Sequence, residues 1–320
     1  MPLVVGIDEA GYGPLLGPLV VAATLWRVEP SRRDADFWEC LGGAITRSAG
    51  RGEGRLPVGD SKQLFERKQG LASLERTVLA FAAALGLRHG TLGGLLEALS
   101  PVSGFLAGTR PWYRDLNVPL PRDAVRSVCV GASERLKRTM ASAGVSCCGL
   151  AALVITEDAF NERLRQTRNK AAVLTEAVLR LLSWAADRSG TQQLCARVDR
   201  LGGRHDYRRL LMQAFPERHL HELERSPVCS RYRLSGNDSD WLVEFAVEGE
   251  CRHLPIALAS MLAKYVRELL MERFNAYWRT LRPDLRPTAG YYQDAQRFLS
   301  EIRPLLARGD VHVADFVRAR

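Results

Sequence analysis

Residues 3–14 of the chain read Leu3-Val4-Val5-Gly6-Ile7-Asp8-Glu9-Ala10-Gly11-Tyr12-Gly13-Pro14. The short apolar run predicts a buried β-strand that ends on two adjacent carboxylates, Asp8 and Glu9. The glycines after them permit a tight turn and the close approach of another backbone or of a phosphate. A second apolar run, residues 19–25, predicts a neighbouring strand. The chain therefore opens with two adjacent strands joined by a loop that contains glycine and proline.

Two further carboxylates are expected near such a strand end. Residues 195–199 predict another strand, which stops on Asp199 before a glycine turn. A strongly apolar helix is predicted after Pro255, and its polar side chains form one narrow stripe made of Ser260, Lys264, Arg267 and Glu268. Because the rest of the circumference is apolar, we expect a buried helix whose stripe faces a cleft. The alternative is a solvated stripe held by salt bridges.

The candidate catalytic carboxylates are Asp8, Glu9, Asp199 and Glu268. If they converged at one sheet edge, they would raise one another's pKa values unless cations neutralised them. Oxygen ligands without His or Cys favour Mg²⁺ or Mn²⁺ over zinc. Two such ions, about 4 Å apart, activate a water and stabilise the leaving 3′-oxygen during in-line attack on a phosphodiester. The pattern therefore predicts a two-ion metal site for phosphodiester hydrolysis.

Composition and charge are consistent with a globular nucleic-acid-binding protein. The net charge of +9, from 45 Lys+Arg against 36 Asp+Glu, favours a polyanionic partner. No apolar run is long enough to span a membrane, and because a strand is predicted so early we expect neither a membrane span nor a signal peptide. The seven cysteines are scattered, so we interpret them as reduced thiols of a cytoplasmic protein. The basic residues cluster at Arg163, Arg165, Arg168 and Lys170, at Arg197, Arg200, Arg204, Arg208 and Arg209, and at Arg282, Arg286, Arg318 and Arg320.

The predicted organisation is one α/β domain over residues 1–320, with a mixed central sheet flanked by helices. Asp60 or Ser61 is a plausible helix N-cap, and that helix is expected to run to about residue 85. Residues 86–149 are rich in glycine and proline, with one helix predicted near residues 122–143, and we interpret them as a helical insertion. Residues 254–320 are expected to form a C-terminal helical part.

Four blocks of the sequence, in unbroken order, resemble the motifs of the type 2 ribonucleases H, ribonuclease HII in particular. They are 8–14 with Gly17-Pro18, 60–64, 249–268, and the stretch 311–316 near the end. The resemblance implies a ribonuclease H-like fold, with Asp8, Glu9, Asp199 and Glu268 as ligands of Mg²⁺ or Mn²⁺. It also implies the substrate, which is RNA within an RNA–DNA hybrid or a ribonucleotide embedded in duplex DNA.

The same resemblance supplies candidate substrate-binding residues. Gly11, Tyr12 and Gly13 occupy the loop that reads the ribonucleotide 2′-hydroxyl, and Tyr291 matches the tyrosine that assists it. Lys62 and Lys264 complete the set, Lys62 as a phosphate contact. The chain departs from the family pattern twice, because Tyr12 replaces an arginine and Glu268 replaces an aspartate.

Three functions remain open at this point. The chain is a hybrid-specific ribonuclease, a nuclease of the same fold that acts on structured DNA, or a nucleic-acid-binding protein with weakened catalysis. A nucleotide-binding P-loop is disfavoured because no Gly-Lys-Ser/Thr follows the early glycines.

Overall fold

The computed structural model describes residues 1–47, 54–65, 71–100, 110–236, 239–306 and 312–319. The strands are β1 (Leu3–Ala10), β2 (Leu19–Val28), β3 (Ile45–Thr46), β4 (Leu56–Pro57), β5 (Val145–Ile155), β6 (Leu194–Asp199), β7 (His219–Arg225), β8 (Cys229–Ser235) and β9 (Trp241–Ala246). Within the described ranges, one sheet has the strand order β5-β2-β1-β6-β9-β8-β7, and β3 and β4 form a separate parallel pair.

Helices cover both faces of this sheet. They are α1 (Phe37–Cys40), α2 (Ser61–Leu64), α3 (Ala72–Ala84), α4 (Leu92–Leu99), α5 (Arg126–Ala143), α6 (Glu157–Thr167), α7 (Lys170–Ser189), α8 (Arg208–Ala214), α9 (Gly249–Arg252), α10 (Leu254–Leu281) and α11 (Tyr292–Leu306). The helices α10 and α7 pack on opposite faces of β1 and β2. A strand covered on both faces needs apolar residues at every position, which explains the continuous apolar run of β1.

The helix α10 lies unusually close to β1. A Cβ on Gly6 would lie 2.1 Å from the carbonyl carbon of Pro255, so only glycine fits at this position. The hydroxyl of Thr24 on β2 donates to the same carbonyl over 2.8 Å. These contacts hold the start of α10 against β1 and β2. They also determine the distance between the polar stripe of α10 and the sheet.

Strand pairing places the predicted carboxylates at one sheet edge. The strand β1 pairs with β6 in parallel, with Ile7 opposite Val198. Asp8 and Asp199 are the next residues along these two strands. Because parallel strands present their carboxyl ends at the same edge, both side chains belong to the same end of the sheet.

The predicted α/β fold with a mixed central sheet flanked by helices is confirmed. The strands β1 and β2 pair antiparallel, as the opening sequence predicted. The helix after Pro255 is present as α10, and the helix predicted near residues 122–143 begins at Arg126. Within the described part of the chain, no helix is long and apolar enough to cross a membrane.

Several element boundaries differ from the prediction. In place of one helix up to residue 85 there is the short α2, capped by Asp60, and then α3; residues 66–70 lie outside the description. Residues 157–189 form the two helices α6 and α7 in place of a single long helix, because Arg168 takes a left-handed conformation (φ 51°) and Asn169 caps α7. The strands β7 and β8 were not predicted, since β7 is largely exposed and has no apolar alternation.

The predicted insertion, residues 86–149, contains α4 and α5 and also the first five residues of β5. The helix α5 packs against α3, and α4 packs against β5. The segment thus shares the core of the sheet, and its status as an insertion stays a prediction. Residues 101–109 within it, and Val311 and Arg320 near the end of the chain, lie outside the described residues.

Candidate active site

The strand β1 ends on two carboxylates, of which Asp8 is buried and Glu9 is partly exposed. Asp8 is only 8% exposed, and its Oδ1 accepts the backbone N–H of Glu9 over 2.7 Å. Burial, reinforced by the charges of Glu9 and Asp199, raises the pKa of Asp8 well above its ordinary value. A hydrogen bond from the hydroxyl of Ser260 on α10 partly opposes this rise. The polar stripe of α10 therefore does contact the strand carboxylates.

Glu9 and Asp199 have the same electrostatic character. Burial, followed by the charge of Asp199, raises the pKa of Glu9 to about 7, while the Lys62 ammonium lowers it. Burial likewise raises the pKa of Asp199 to about 6, although its Oδ1 accepts the backbone N–H of Gly249 over 2.9 Å. Groups whose pKa values rise together through burial and mutual repulsion favour a cation or a proton in their midst.

These carboxylates line one cavity of about 250 Å³ at the carboxyl edge of β1 and β6. Its lining is formed by Asp8, Glu9, Ala10, Gly11, Tyr12, Gly13, Asp60, Ser61, Lys62, Asp199, Glu250, Ser260, Lys264, Arg267 and Tyr291. Every predicted substrate-binding residue is in this set, and so are three of the four predicted catalytic carboxylates. Three of the four sequence blocks, 8–14, 60–64 and 249–268, therefore contribute to one cavity among the described residues.

The fourth predicted catalytic residue, Glu268, does not line the cavity that the described residues form. Its Oε1 accepts a hydrogen bond from Lys264, one turn earlier on α10, over 3.1 Å. The guanidinium of Arg267 lies 3.9 Å from the same oxygen. In this arrangement the Glu268 carboxylate is positioned to orient Lys264.

Glu250 supplies a fourth carboxylate that the sequence analysis did not select. After β9 the chain turns through Glu248, which takes a left-handed conformation (φ 52°), and α9 then begins at Gly249. This turn brings Glu250 into the cavity, where its charge and a hydrogen bond raise the pKa of Asp199. The sequence did contain a signal for Glu250. The Gly249-Glu250 pair follows an apolar strand and belongs to the block 249–268 that resembles the ribonuclease HII motif.

Basic side chains surround the carboxylates. Lys62 follows the cap residue Asp60, whose carboxylate accepts the Lys62 backbone N–H over 2.8 Å. Lys264 places its ammonium 4.3 Å from the ring centroid of Phe65. The hydroxyl of Ser61 lies 3.1 Å from that of Ser260, which connects the Lys62 segment to Asp8. Cations beside buried carboxylates suit a phosphate-bearing ligand.

Residues Gly11–Gly13, hereafter the glycine loop, form one wall of the cavity with Tyr291. Gly11 has φ +89°, and a Cβ there would lie 2.4 Å from Nε of Arg267, so the position requires glycine. The ring of Tyr12 lies 4.9 Å from the ammonium of Lys170 at the start of α7. Tyr291 is 55% exposed, with the guanidinium of Arg267 5.9 Å from its ring. Two aromatic rings are thus available to a sugar or base.

The donor set of the cavity fits a hard divalent cation. It consists of carboxylates without His or Cys, and Oε2 of Glu9 is buried with no hydrogen-bond partner among the described residues. In the described part of the chain, no three His, Cys, Asp or Glu side chains are arranged so that they could hold one ion. Binding an ion would therefore require these carboxylates to change rotamer.

Comparisons with known proteins were made for the sequence and for the structure. No family model matches the chain, and no curated protein matches it. Similar solved structures include the PCNA:RNase HII complex from Archaeoglobus fulgidus (16% identity, TM-score 0.47, 99% of this chain and 94% of that one). Others are ribonuclease H2 from Pyrococcus horikoshii OT3 (13%, 0.43, 99% and 92%) and Bst-RNase HIII in complex with Mn²⁺ (17%, 0.46, 99% and 66%). All three are type 2 ribonucleases H, the family that the sequence motifs resemble.

Proposed function

We propose that this chain is a metal-dependent endonuclease that hydrolyses RNA in RNA–DNA hybrids or at ribonucleotides embedded in duplex DNA. The observation that carries the proposal is the cavity that Asp8, Glu9, Asp199 and Glu250 share with cationic and aromatic side chains. Four carboxylates that share one largely desolvated cavity are costly unless the cavity holds cations during function. A nuclease needs this combination, because its substrate brings phosphates to the same place.

In the proposed mechanism, the four cavity carboxylates would hold one or two Mg²⁺ or Mn²⁺ ions, which would supply an activated water and stabilise the charge on the leaving oxygen. The hydroxyl of Ser260 keeps Asp8 oriented, and Ser61 supports Ser260 from the opposite side. Asp199 is oriented by the backbone N–H of Gly249. These hydrogen bonds restrain Asp8 and Asp199, which limits how far the two carboxylates have to move when ions and substrate bind.

The remaining cavity residues are assigned to the substrate. Lys62 and Lys264 offset the charge of the phosphates, and Glu268 orients Lys264 through their hydrogen bond. The glycine loop and Tyr291 contact the ribose, whose 2′-hydroxyl distinguishes RNA from DNA. In this proposal Glu250, rather than Glu268, is the fourth metal ligand.

A cleavage assay with Mg²⁺ or Mn²⁺ on three labelled duplexes tests the proposal. The duplexes are an RNA–DNA hybrid, a DNA duplex with one ribonucleotide, and an all-DNA branched substrate. We expect cleavage of the first two, with loss of activity in Asp8→Asn. Cleavage confined to the branched DNA would favour a structured-DNA nuclease. Binding of the hybrid with no cleavage under either metal would favour a nucleic-acid-binding protein.

A further inference from the structure

The backbone that follows the glycine loop is held by two arginines from the C-terminal part of the chain. Arg318 donates its backbone N–H to the carbonyl of Leu15 over 2.8 Å, and its Nη2 donates to the carbonyl of Pro14. Arg267 on α10 donates from Nη2 to the carbonyl of Leu16 over 3.2 Å. Three consecutive carbonyls are thus each bonded to an arginine. We call this arrangement the arginine clamp.

Both clamp arginines are buried, since each has only 2% of its surface exposed. Burial, with the nearby charge of Arg267 as a further cause, lowers the pKa of Arg318 to about 10. Among the described residues, Nε and Nη1 of Arg318 and Nε of Arg267 have no hydrogen-bond partner. Two like charges buried side by side are costly, so hydrogen bonds to the loop backbone must offset part of that cost.

The segment 312–319 that carries Arg318 is itself anchored to the core. The side chain of Asn161 on α6 donates to the carbonyls of Ala314 (3.1 Å) and Val317 (2.8 Å) and accepts the backbone N–H of Ala319 (2.7 Å). Phe316 is fully buried in an aromatic cluster with Trp112, Phe274 and Trp278. One side of the segment is therefore fixed to α6 and the core, while the other side holds the loop backbone.

The clamp reaches the cavity through one of its two members. Arg267 lines the cavity, and its side chain contacts Gly11. Arg318 is not among the described residues that line the cavity. Arg318 therefore acts on a bound substrate indirectly, through the backbone of Pro14 and Leu15 or through the neighbouring Arg267. Because Arg318 lies outside the cavity lining, replacing it tests the support of the loop without removing a side chain that lines the cavity.

We infer that the C-terminal segment 312–319 supports the substrate-binding site from outside the cavity, and that Arg318 is a positioning residue for the glycine loop. The inference rests on the proposed function, because that function gives the loop its contact with the substrate sugar. With the clamp in place, the loop keeps one backbone conformation against which the ribose fits. Without it, the loop samples several conformations, and substrate binding selects one of them at a cost in affinity.

The test uses Arg318→Met, which keeps an unbranched apolar stem and the backbone N–H to Leu15 but removes the guanidinium donors. We expect KM for an RNA–DNA hybrid to rise about tenfold, the loss that corresponds to one hydrogen bond from a charged group, while kcat changes less than about threefold. Amide hydrogen exchange of a peptide covering residues 11–18 should accelerate, and peptides from α7 should not change. The matched control is Arg303→Met, an exposed arginine at the end of α11, which should leave every readout unchanged.

Arg318→Lys keeps the charge and the backbone donor but loses the guanidinium fork, so it should restore most of the wild-type KM. If Arg318→Met does not fold, Arg318→Lys carries the test, with a smaller local acceleration of exchange expected in residues 11–18. Unchanged exchange in that peptide, or acceleration spread evenly over the protein, would overturn the inference. If the wild type cleaves no duplex, the proposed function fails, yet the exchange measurement still decides whether the clamp orders the loop.

Discussion

Replacing Glu157 by glutamine tests the electrostatics of the core next to the C-terminal segment. Glu157 is the first residue of α6 and is fully buried. Its Oε1 accepts the hydroxyl of Tyr113 over 3.0 Å, and its Oε2 has no partner among the described residues. Burial raises the pKa of Glu157 from 4.5 to about 7, although the Tyr113 hydrogen bond and the charge of Arg318 oppose the rise.

The raised pKa sets the sign and size of the effect on stability. The neutral carboxyl is favoured in the folded state, so its contribution to stability is fully present below pH 4.5 and is lost as the pH rises through 7. The difference between 4.5 and about 7 is about 2.5 in pKa, which corresponds to about 3 kcal/mol. Glutamine has nearly the same shape and does not titrate. The variant therefore avoids this loss.

Urea unfolding of wild type and Glu157→Gln at pH 5 and pH 8 measures the effect. We expect the free energy of unfolding of the variant, relative to wild type, to be about 2.5 kcal/mol higher at pH 8 than at pH 5. This value is smaller than the full 3 kcal/mol because part of the loss occurs below pH 5. Groups that titrate in both proteins cancel in the comparison.

Glu162→Gln is the matched control, since Glu162 lies on the same helix but is exposed. Hydrogen bonds from Arg165 and Gln166 hold the pKa of Glu162 below its ordinary value. Its replacement should therefore not produce a gain in stability with rising pH. A difference between wild type and Glu157→Gln that is the same at both pH values would refute the reasoning, because it would mean that Glu157 titrates alike in the folded and unfolded states.

Three further predictions concern the cavity. Asp8→Asn should abolish hybrid cleavage while affinity stays equal or improves, as measured by binding titration, because a negative charge near phosphates is removed; full residual cleavage would place the activity elsewhere. Glu250→Gln should lower kcat by about a hundredfold or more, whereas Glu268→Gln should lower it less than about tenfold; the reverse order would make Glu268 the ligand. Tyr12→Arg should shift cleavage toward a single embedded ribonucleotide relative to a long hybrid; a wild type that already cuts both equally would show that Tyr12 does not set specificity.

The parts of the site that lie on regular elements were predictable from the sequence. Asp8 and Asp199 each end an apolar strand, and two parallel neighbours must present such residues at the same edge. The stripe of α10 was predicted from helical periodicity, and its members Ser260 and Lys264 do line the cavity. In both cases, a local pattern determines which way the side chain faces.

The remaining site features depend on turns that carry no such periodic signal. Glu250 enters the cavity because Glu248 adopts a left-handed conformation, a choice that nothing in the neighbouring residues requires. Glu268 lies on the predicted helix, but the neighbouring Lys264 binds its carboxylate. Arg318 reaches the loop only because the whole C-terminal segment docks on α6. The docking of Arg318 is decided by tertiary contacts, whereas the Lys264–Glu268 pair is a local i,i+4 contact of the kind expected for a salt-bridged stripe.

The contact between Gly6 and the Pro255 carbonyl limits how this protein can be redesigned. The same helix that packs on Gly6 carries Ser260, which orients Asp8, and Arg267, which passes beneath Gly11. A side chain at position 6 would lift this helix as a rigid body, and the polar groups of the cavity would move with the apolar ones. A substitution that changes the packing of α10 on β1 therefore also changes the geometry of the active site. Substitutions intended to raise the free energy of unfolding should leave Gly6 and the start of α10 unchanged. They should be placed elsewhere, for example on the exposed face of α5.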